Sequence, residues 1–267
     1  LDAIESLIIS EKPNGLIVIP YDNPTGQFID QGILIDLARM CVKNKIWIIS
    51  DEAYRQLYYN RNSSSSIWKI SEKDVPNISG FRISIESASK TWNACGLRIG
   101  ALVTDNKTFY NKSVYEYTAN LCANALGQYI FGAISDISHN EINRWYSKQR
   151  NYYYPLMKSM RNSILEKIPG VLVSKPSAAI YLVIDFKNIC STNFDSNDFI
   201  KYCAQNGSVS YNGVKYTLFF APLNEFYSGN IKVKTQIRIA MVEKIEYLQI
   251  APLILSELYN EYSNLIS

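Results

Sequence analysis

In the run SASKTWNACGLRIG, residues 87 to 100, one lysine sits among small hydroxyl residues, eight positions before an arginine flanked by glycines. Lysine supplies a primary amine that can lose its proton, and such an amine attacks a carbonyl carbon. Arginine offers a planar fork of donors suited to phosphate or carboxylate. Three other short features carry groups capable of chemistry. NPTG, at 23 to 26, follows the apolar run GLIVI and taken alone is a turn signal. DEAY, at 51 to 54, puts Asp51 just beyond the run IWIIS, where a carboxylate equally suits the cap of a following helix. QIRIAMV places Arg238 in an apolar segment, where a buried face obliges it to find an anionic partner. Each feature alone has an ordinary structural explanation, an exposed lysine loop included.

The elements around these residues favour a shared site. GLIVI (15 to 19) and IWIIS (46 to 50) read as strands, and the segment between them repeats Ile33, Leu37, Met40 and Cys41 at helical spacing, a β-α-β unit. FRISIE (81 to 86) and IGALVT (99 to 104) continue the sheet, with SSSS and DVPN marking loops. Parallel strands covered by helices follow from this order. In open sheets of that kind ligands bind beyond the carboxyl ends of the strands, and Asn23, Asp51 and Ser87 to Lys90 all stand at such ends. From Lys107 to about Ile168 the pattern is helical; its aromatics read as core and helix-packing residues, and Pro155 as a kink or a start. Beyond Gly170 two strand-like segments, a helix, further strands and a last helix predict a smaller α+β domain beginning near residue 155.

Taken in order, N-P-T-G, D-E-A-Y, S-x-S-K-x5-G-x-R-x-G and a late strand arginine resemble the class I/II aminotransferases, fold type I pyridoxal phosphate enzymes, from about residue 14 to the end. The resemblance implies an α/β fold of the aspartate aminotransferase-like kind. Residues 1–155 would form part of a large cofactor-binding domain with a mostly parallel sheet, and residues 156–267 a small C-terminal α+β domain. It also implies pyridoxal 5'-phosphate as cofactor, with an amino group moved between an α-amino acid and a 2-oxo acid. Lys90 would hold the cofactor aldehyde as an imine and, once freed, carry the α-proton. Asp51 would keep the pyridine nitrogen protonated, so that the ring can accept electrons. Tyr54 and Asn23 match the donors to the phenolic oxygen. Arg98 and Ser87 match the phosphate contacts, with Ser89 beside them, and Gly96 and Gly100 would let the backbone approach around that arginine. Arg238, with Asn23, matches the clamp on the substrate carboxylate.

The pattern departs from the family in two ways. The family's N-terminal segment, with its glycine-rich phosphate turn and ring-stacking aromatic, does not precede NPTG here, so the sequence reads as roughly the last two thirds of such an enzyme, and the chain by itself as a possible inert fragment. Ala178 and Leu223 stand where the family commonly has glycine, near the region that shapes the substrate pocket. Other reactions use the same residues, among them C–S lyase elimination, decarboxylation and cyclisation, and some transcription regulators carry such a domain as a cofactor-binding sensor.

Composition narrows the partners. With 27 basic and 24 acidic residues, a net charge of +3 and no basic stripe, a small-molecule ligand is expected and a nucleic acid is not. The five cysteines (Cys41, Cys95, Cys122, Cys190, Cys203) form no C-x-x-C pair and have only His139 as a nitrogen companion, which favours reduced cytosolic thiols over disulfides or zinc. No apolar run nears the roughly 20 residues that span a bilayer, so a soluble, cytoplasmic protein is expected. A homodimer is implied by the resemblance alone.

Overall fold

The computed structural model describes residues 1–59, 63–228 and 233–267. It divides into two units, one of Leu1–Tyr21 with Phe28–Arg150 and one of Asp22–Gln27 with Asn151–Ser267.

The first unit opens with α1 (Asp2–Glu11), a helix the sequence reading did not include, which ends at Lys12 in the left-handed region with φ 48. The sheet follows: β1 (Gly15–Val18), α2 (Gln31–Lys43), β2 (Trp47–Asp51), β3 (Arg82–Ser87) and β4 (Gly100–Thr104). The strands lie in the order β1-β2-β3-β4. β1 and β2 pair in parallel, Gly15 opposite Trp47, and β2 and β3 likewise, Asp51 opposite Ile85. The sheet is thus mostly parallel, as expected. β4 departs from that direction, pairing antiparallel with β3 and setting Ser87 opposite Gly100. Residues 88–99 between the two strands close on themselves and hold only a 3-10 turn, so no crossover helix carries the chain back across the sheet as a parallel return requires.

Asp30 caps α2, its Oδ1 accepting from the Ile33 amide at 3.0 Å. The buried stripe of this helix is Leu34, Leu37, Ala38 and Cys41, packed with Val18, Ile48, Ile67 and Ile78. Of the residues read from the spacing, Leu37 and Cys41 lie in the stripe and Met40 packs against it half-buried, whereas Ile33 is exposed. The buried face includes Leu34 and Ala38 as well, and alanine is what a pattern scored on large apolar residues passes over. The serine run is a loop whose second half, Ser65 and Ser66, is buried. Ser65 Oγ donates to the Ile29 carbonyl at 2.8 Å, and Ser66 caps a 3-10 turn at Ile67–Lys69.

Three helices follow, α3 (Lys107–Thr118), α4 (Ala125–Gly132) and α5 (His139–Lys167). α5 runs on through Pro155, which neither starts nor ends it. One missing N–H removes one ladder bond from a helix of 29 residues. The expectation that the aromatics here are core and helix-packing residues holds in α3 and α4 for Phe109, which packs on Trp47 at 5.0 Å, and Phe131, which packs on Trp92 at 5.9 Å, and fails for their tyrosines. No residue of α3 is buried, and Tyr115 is 76% exposed and Tyr129 85%. Periodicity records an apolar face, not what lies against it.

The second unit holds β5 (Leu172–Val173), β6 (Tyr181–Asp185), α6 (Ser196–Gln205), β7 (Val209–Tyr211), β8 (Val214–Tyr216), β9 (Ala221–Pro222), β10 (Gln236–Ala240) and α7 (Ile245–Ile266). An antiparallel sheet runs β5-β6-β10-β9, and β7 and β8 form a separate hairpin. Its core is aromatic, with Phe186 stacked on Tyr259 at 4.7 Å and Phe194, Phe199 and Tyr262 around them. The turn Asp22–Gln27 packs into this unit, where the Gly26 carbonyl accepts from the amides of Ser177 (3.1 Å) and Ala178 (2.8 Å). Gly26 has φ +69, and a Cβ on it would lie 2.5 Å from the Tyr181 carbonyl oxygen, so the last residue of NPTG has to be glycine.

Candidate functional site

In the first unit the expected residues gather where β2 and β3 end. Asp51 is the last residue of β2, and its Oδ1 accepts from the Ala53 amide at 3.1 Å. A turn rather than a helix follows, so the carboxylate closes a turn and caps no helix. Tyr54, in that turn, is buried. β3 ends at Ser87, whose Oγ accepts from the Ser89 amide at 3.1 Å.

The loop between β3 and β4 is closed on itself, with the Ala88 amide donating to the Ile99 carbonyl (3.0 Å) and the Ala94 amide to the Ala88 carbonyl (3.2 Å). Lys90 lies half-buried within it. Its neighbour Thr91 anchors the loop twice. The Thr91 hydroxyl donates to the Ala53 carbonyl at 3.3 Å, and the Thr91 carbonyl accepts from the Trp145 indole of α5 at 2.9 Å. The turn that carries Asp51 and Tyr54 and the loop that carries Ser89 and Lys90 are therefore joined directly.

Arg98 is exposed and occupies the left-handed region at φ 54, its Nη1 donating to the Cys95 carbonyl at 2.9 Å. A Cβ at Gly100 would stand 2.7 Å from the Glu86 carbonyl oxygen, so that glycine permits a close approach as expected. Gly96 does not: nothing lies within 4 Å of a Cβ there. The unusual backbone of this loop falls instead on Asn93 (φ 52) and Arg98 itself.

In the second unit Arg238 of β10 and Asn23 come together across 215 positions of sequence, Nη1 donating to Oδ1 at 2.7 Å. The guanidinium carbon lies 4.6 Å from the centre of the Tyr181 ring and 5.6 Å from that of Phe226. Its Nε is buried and has no hydrogen-bond partner among the described residues. The partner expected for a buried strand arginine was an anion; its contacts here are a neutral amide and two ring faces. A cation with an orphaned buried donor retains capacity for a carboxylate. Ala178 and Leu223 are both fully buried, so the side chains that replace the family's glycines serve as packing.

Sequence reasoning stopped at Tyr54 and missed three charged neighbours of this set, Glu52, Arg55 and Glu86, which are linked by ion pairs of 2.7 and 2.8 Å. The available signal was charge at the ends of two apolar strands. Altogether an amine, a carboxylate, a phenol, small hydroxyls and a guanidinium line the strand ends of the first unit. That donor set fits an aldehyde-bearing phosphate ester with a basic ring nitrogen, the chemistry of pyridoxal phosphate.

A sequence profile described as aminotransferase class I and II matches residues 1–244. An asparagine–oxo-acid transaminase of Streptococcus mutans serotype c is 30% identical over 181 residues, 67% of this chain and 43% of its own. An aspartate aminotransferase of Bacillus sp. strain YM-2 is 29% identical over 196 residues, 71% of this chain and 46% of its own. Among solved structures, LysN, an α-aminoadipate aminotransferase from Thermus thermophilus complexed with N-(5'-phosphopyridoxyl)-L-leucine, superposes with a TM-score of 0.81 at 18% identity, covering 99% of this chain and 63% of that one. That last likeness is one of fold. The chain spans less than half the length of either curated relative.

Proposed function

The chain belongs to the class I and II aminotransferase family and has its aspartate aminotransferase-like fold, and from that premise we propose that it serves a pyridoxal phosphate-dependent transaminase that moves an amino group between an α-amino acid and a 2-oxo acid. The observation that carries the reading is the Thr91 hydroxyl bond to the Ala53 carbonyl, which ties the lysine loop to the carboxylate turn at adjoining parallel strand ends.

When bound, the cofactor supplies an electron sink for the charge left at the substrate α-carbon. The residues of this chain do the rest. Lys90 Nζ holds the cofactor and, once released, holds and returns the α-proton. Asp51 carries the carboxylate that keeps a proton on the ring nitrogen. Tyr54 and Asn23 donate to the phenolic oxygen, while Ser87, Ser89 and Arg98 bind the phosphate. Arg238, already held by Asn23, takes the substrate carboxylate with its remaining donors. We assign residues 1–155 to a cofactor-binding domain and 156–267 to a small domain, and place the protein as a homodimer in the cytoplasm, where its five free cysteines would stay reduced.

Adding pyridoxal phosphate to the purified protein, reducing with borohydride and mapping the peptides tests this. The expected result is a phosphopyridoxyl label on Lys90, lost in Lys90→Ala, with a visible band that an amino acid shifts and a 2-oxo acid restores. A label on another lysine, or a band that no amino acid alters, would overturn it.

A further inference from the structure

Arg55 lies one turn beyond Asp51 and has none of the roles above. Its Nη1 donates to Glu52 Oε2 at 2.7 Å and to Glu86 Oε1 at 2.8 Å. The two carboxylates are adjacent in sequence to the site: Glu52 directly follows Asp51, and Glu86 directly precedes Ser87. Both are held by further bonds. The Glu52 side chain is wholly buried, its Oε1 accepting from Ser50 Oγ (3.1 Å), Ser66 Oγ (3.0 Å) and the Ile67 amide (2.9 Å). Glu86 Oε1 also accepts from Ser84 Oγ at 3.0 Å, and that hydroxyl accepts from the Trp68 indole at 2.8 Å.

One guanidinium therefore closes a network that runs from Trp68 under β3 to the loop around Ser66, and it crosses between the ends of β2 and β3 where the backbone ladder stops. The last ladder contact there is the Glu52 amide on the Ile85 carbonyl at 2.9 Å. Burial pushes the Glu86 carboxyl above its ordinary range, and Arg55 opposes that push. Without the arginine, two carboxylates would face each other with no cation between them, and the strand ends would separate or one acid would take up a proton.

We propose that Arg55 is a positioning residue: it fixes the separation between the turn bearing Asp51 and Tyr54 and the loop bearing Ser87, Ser89 and Lys90. Its consequence for the cofactor rests on the function proposed above; its consequence for the strand ends does not. This separates the two in one experiment on the full chain, comparing the parent, Arg55→Met, Arg55→Lys and Arg55→Met/Glu86→Gln.

Amide hydrogen exchange is read at Glu52, Ile67 and Ser89, with the β1–β2 ladder as the internal reference, and pyridoxal phosphate affinity is read by absorption. In Arg55→Met, exchange at the three amides rises by about tenfold or more with the ladder unchanged. Lysine recovers most of the protection through its single charge. The double variant also recovers it, because a neutral amide beside Glu52 removes the repulsion. Cofactor affinity falls and recovers in the same order. Unchanged exchange at the three amides overturns the inference, as does a rise shared by the ladder, which would mean general loss of stability. Local loosening with parental cofactor affinity overturns the positioning role. A parent that binds no cofactor refutes the functional reading, and the exchange data then still decide whether Arg55 sets the strand ends.

Discussion

At the scale of single residues, Arg238 offers the sharpest test of substrate binding. A guanidinium gives a carboxylate two parallel bonds, whereas an ammonium in the same place gives a point charge. In transamination, Arg238→Lys is expected to raise KM for the amino acid by roughly 10- to 100-fold, the worth of one charge-assisted hydrogen bond. Labelling of Lys90 should stay intact, so a loss of both would show the substitution acting on the fold. Gly26→Ala tests the neighbouring turn. The left-handed backbone alone costs alanine about 1–2 kcal/mol, and the contact of 2.5 Å with the Tyr181 carbonyl adds to it. A lowered urea midpoint at constant slope is the expected reading. Much of this was legible in the sequence because NPTG, DEAY and the lysine motif are local. Glu86 was not, since it meets Arg55 from 31 positions away and nothing near either residue marks the other. Gly96 shows the opposite error: a glycine beside a motif was credited with a close approach that only Gly100 makes.

Among the elements, the start of α5 holds a pH-dependent feature. Ser138 and Glu141 form a reciprocal cap: Ser138 Oγ and its amide donate to Glu141 Oε2 at 2.7 and 3.2 Å, and the Glu141 amide donates back to Ser138 Oγ at 3.3 Å. These bonds, the hydroxyl foremost, hold the Glu141 carboxyl below its ordinary range. A carboxylate depressed in the folded state stabilises above its unfolded value, near pH 4.5, and that stabilisation is lost as pH falls through the lower folded value. Glu141→Gln should therefore flatten the acid limb of an ellipticity titration and change little at neutral pH; an unaltered acid limb would show that the cap frays before the carboxylate is protonated. The strands were readable because each is a short, near-continuous apolar run bounded by turn residues. The direction of β4 was not, because its composition is the same either way and what decides is that the loop before it closes on itself instead of forming a crossover helix. The stripe of α2 was read only in part for a related reason: Leu37 and Cys41 were found, but alanine contributes little to an apolar pattern and Ala38 also lies in the buried face.

For the molecule as a whole, the first unit leaves a group of large apolar side chains exposed around β4 and α4. β4 is the last strand of its sheet and its residues Gly100, Ala101, Leu102 and Val103 are all exposed, with Leu102 at 51% and Val103 at 39%. Successive side chains point to opposite faces, so both faces of this edge are open, along with its unpaired backbone groups. Leu121, Leu126 and Tyr129 add exposed apolar area around α4. Sequence could not disclose this, because the same apolar pattern marks a covered strand and an open one. An open apolar edge of this kind recruits other chains. Sedimentation velocity across roughly micromolar to hundred-micromolar concentration should therefore show mass above the monomer that grows with concentration. Val103→Lys places a charge on the edge and should reduce that association, while leaving α2 and the aromatic core of the second unit untouched. If the parent stayed monomeric throughout, the exposed edge would not be an association surface. If Val103→Lys left the association intact, the contact would lie on α3 or α4 instead, and Tyr129→Lys would be the variant to lower it.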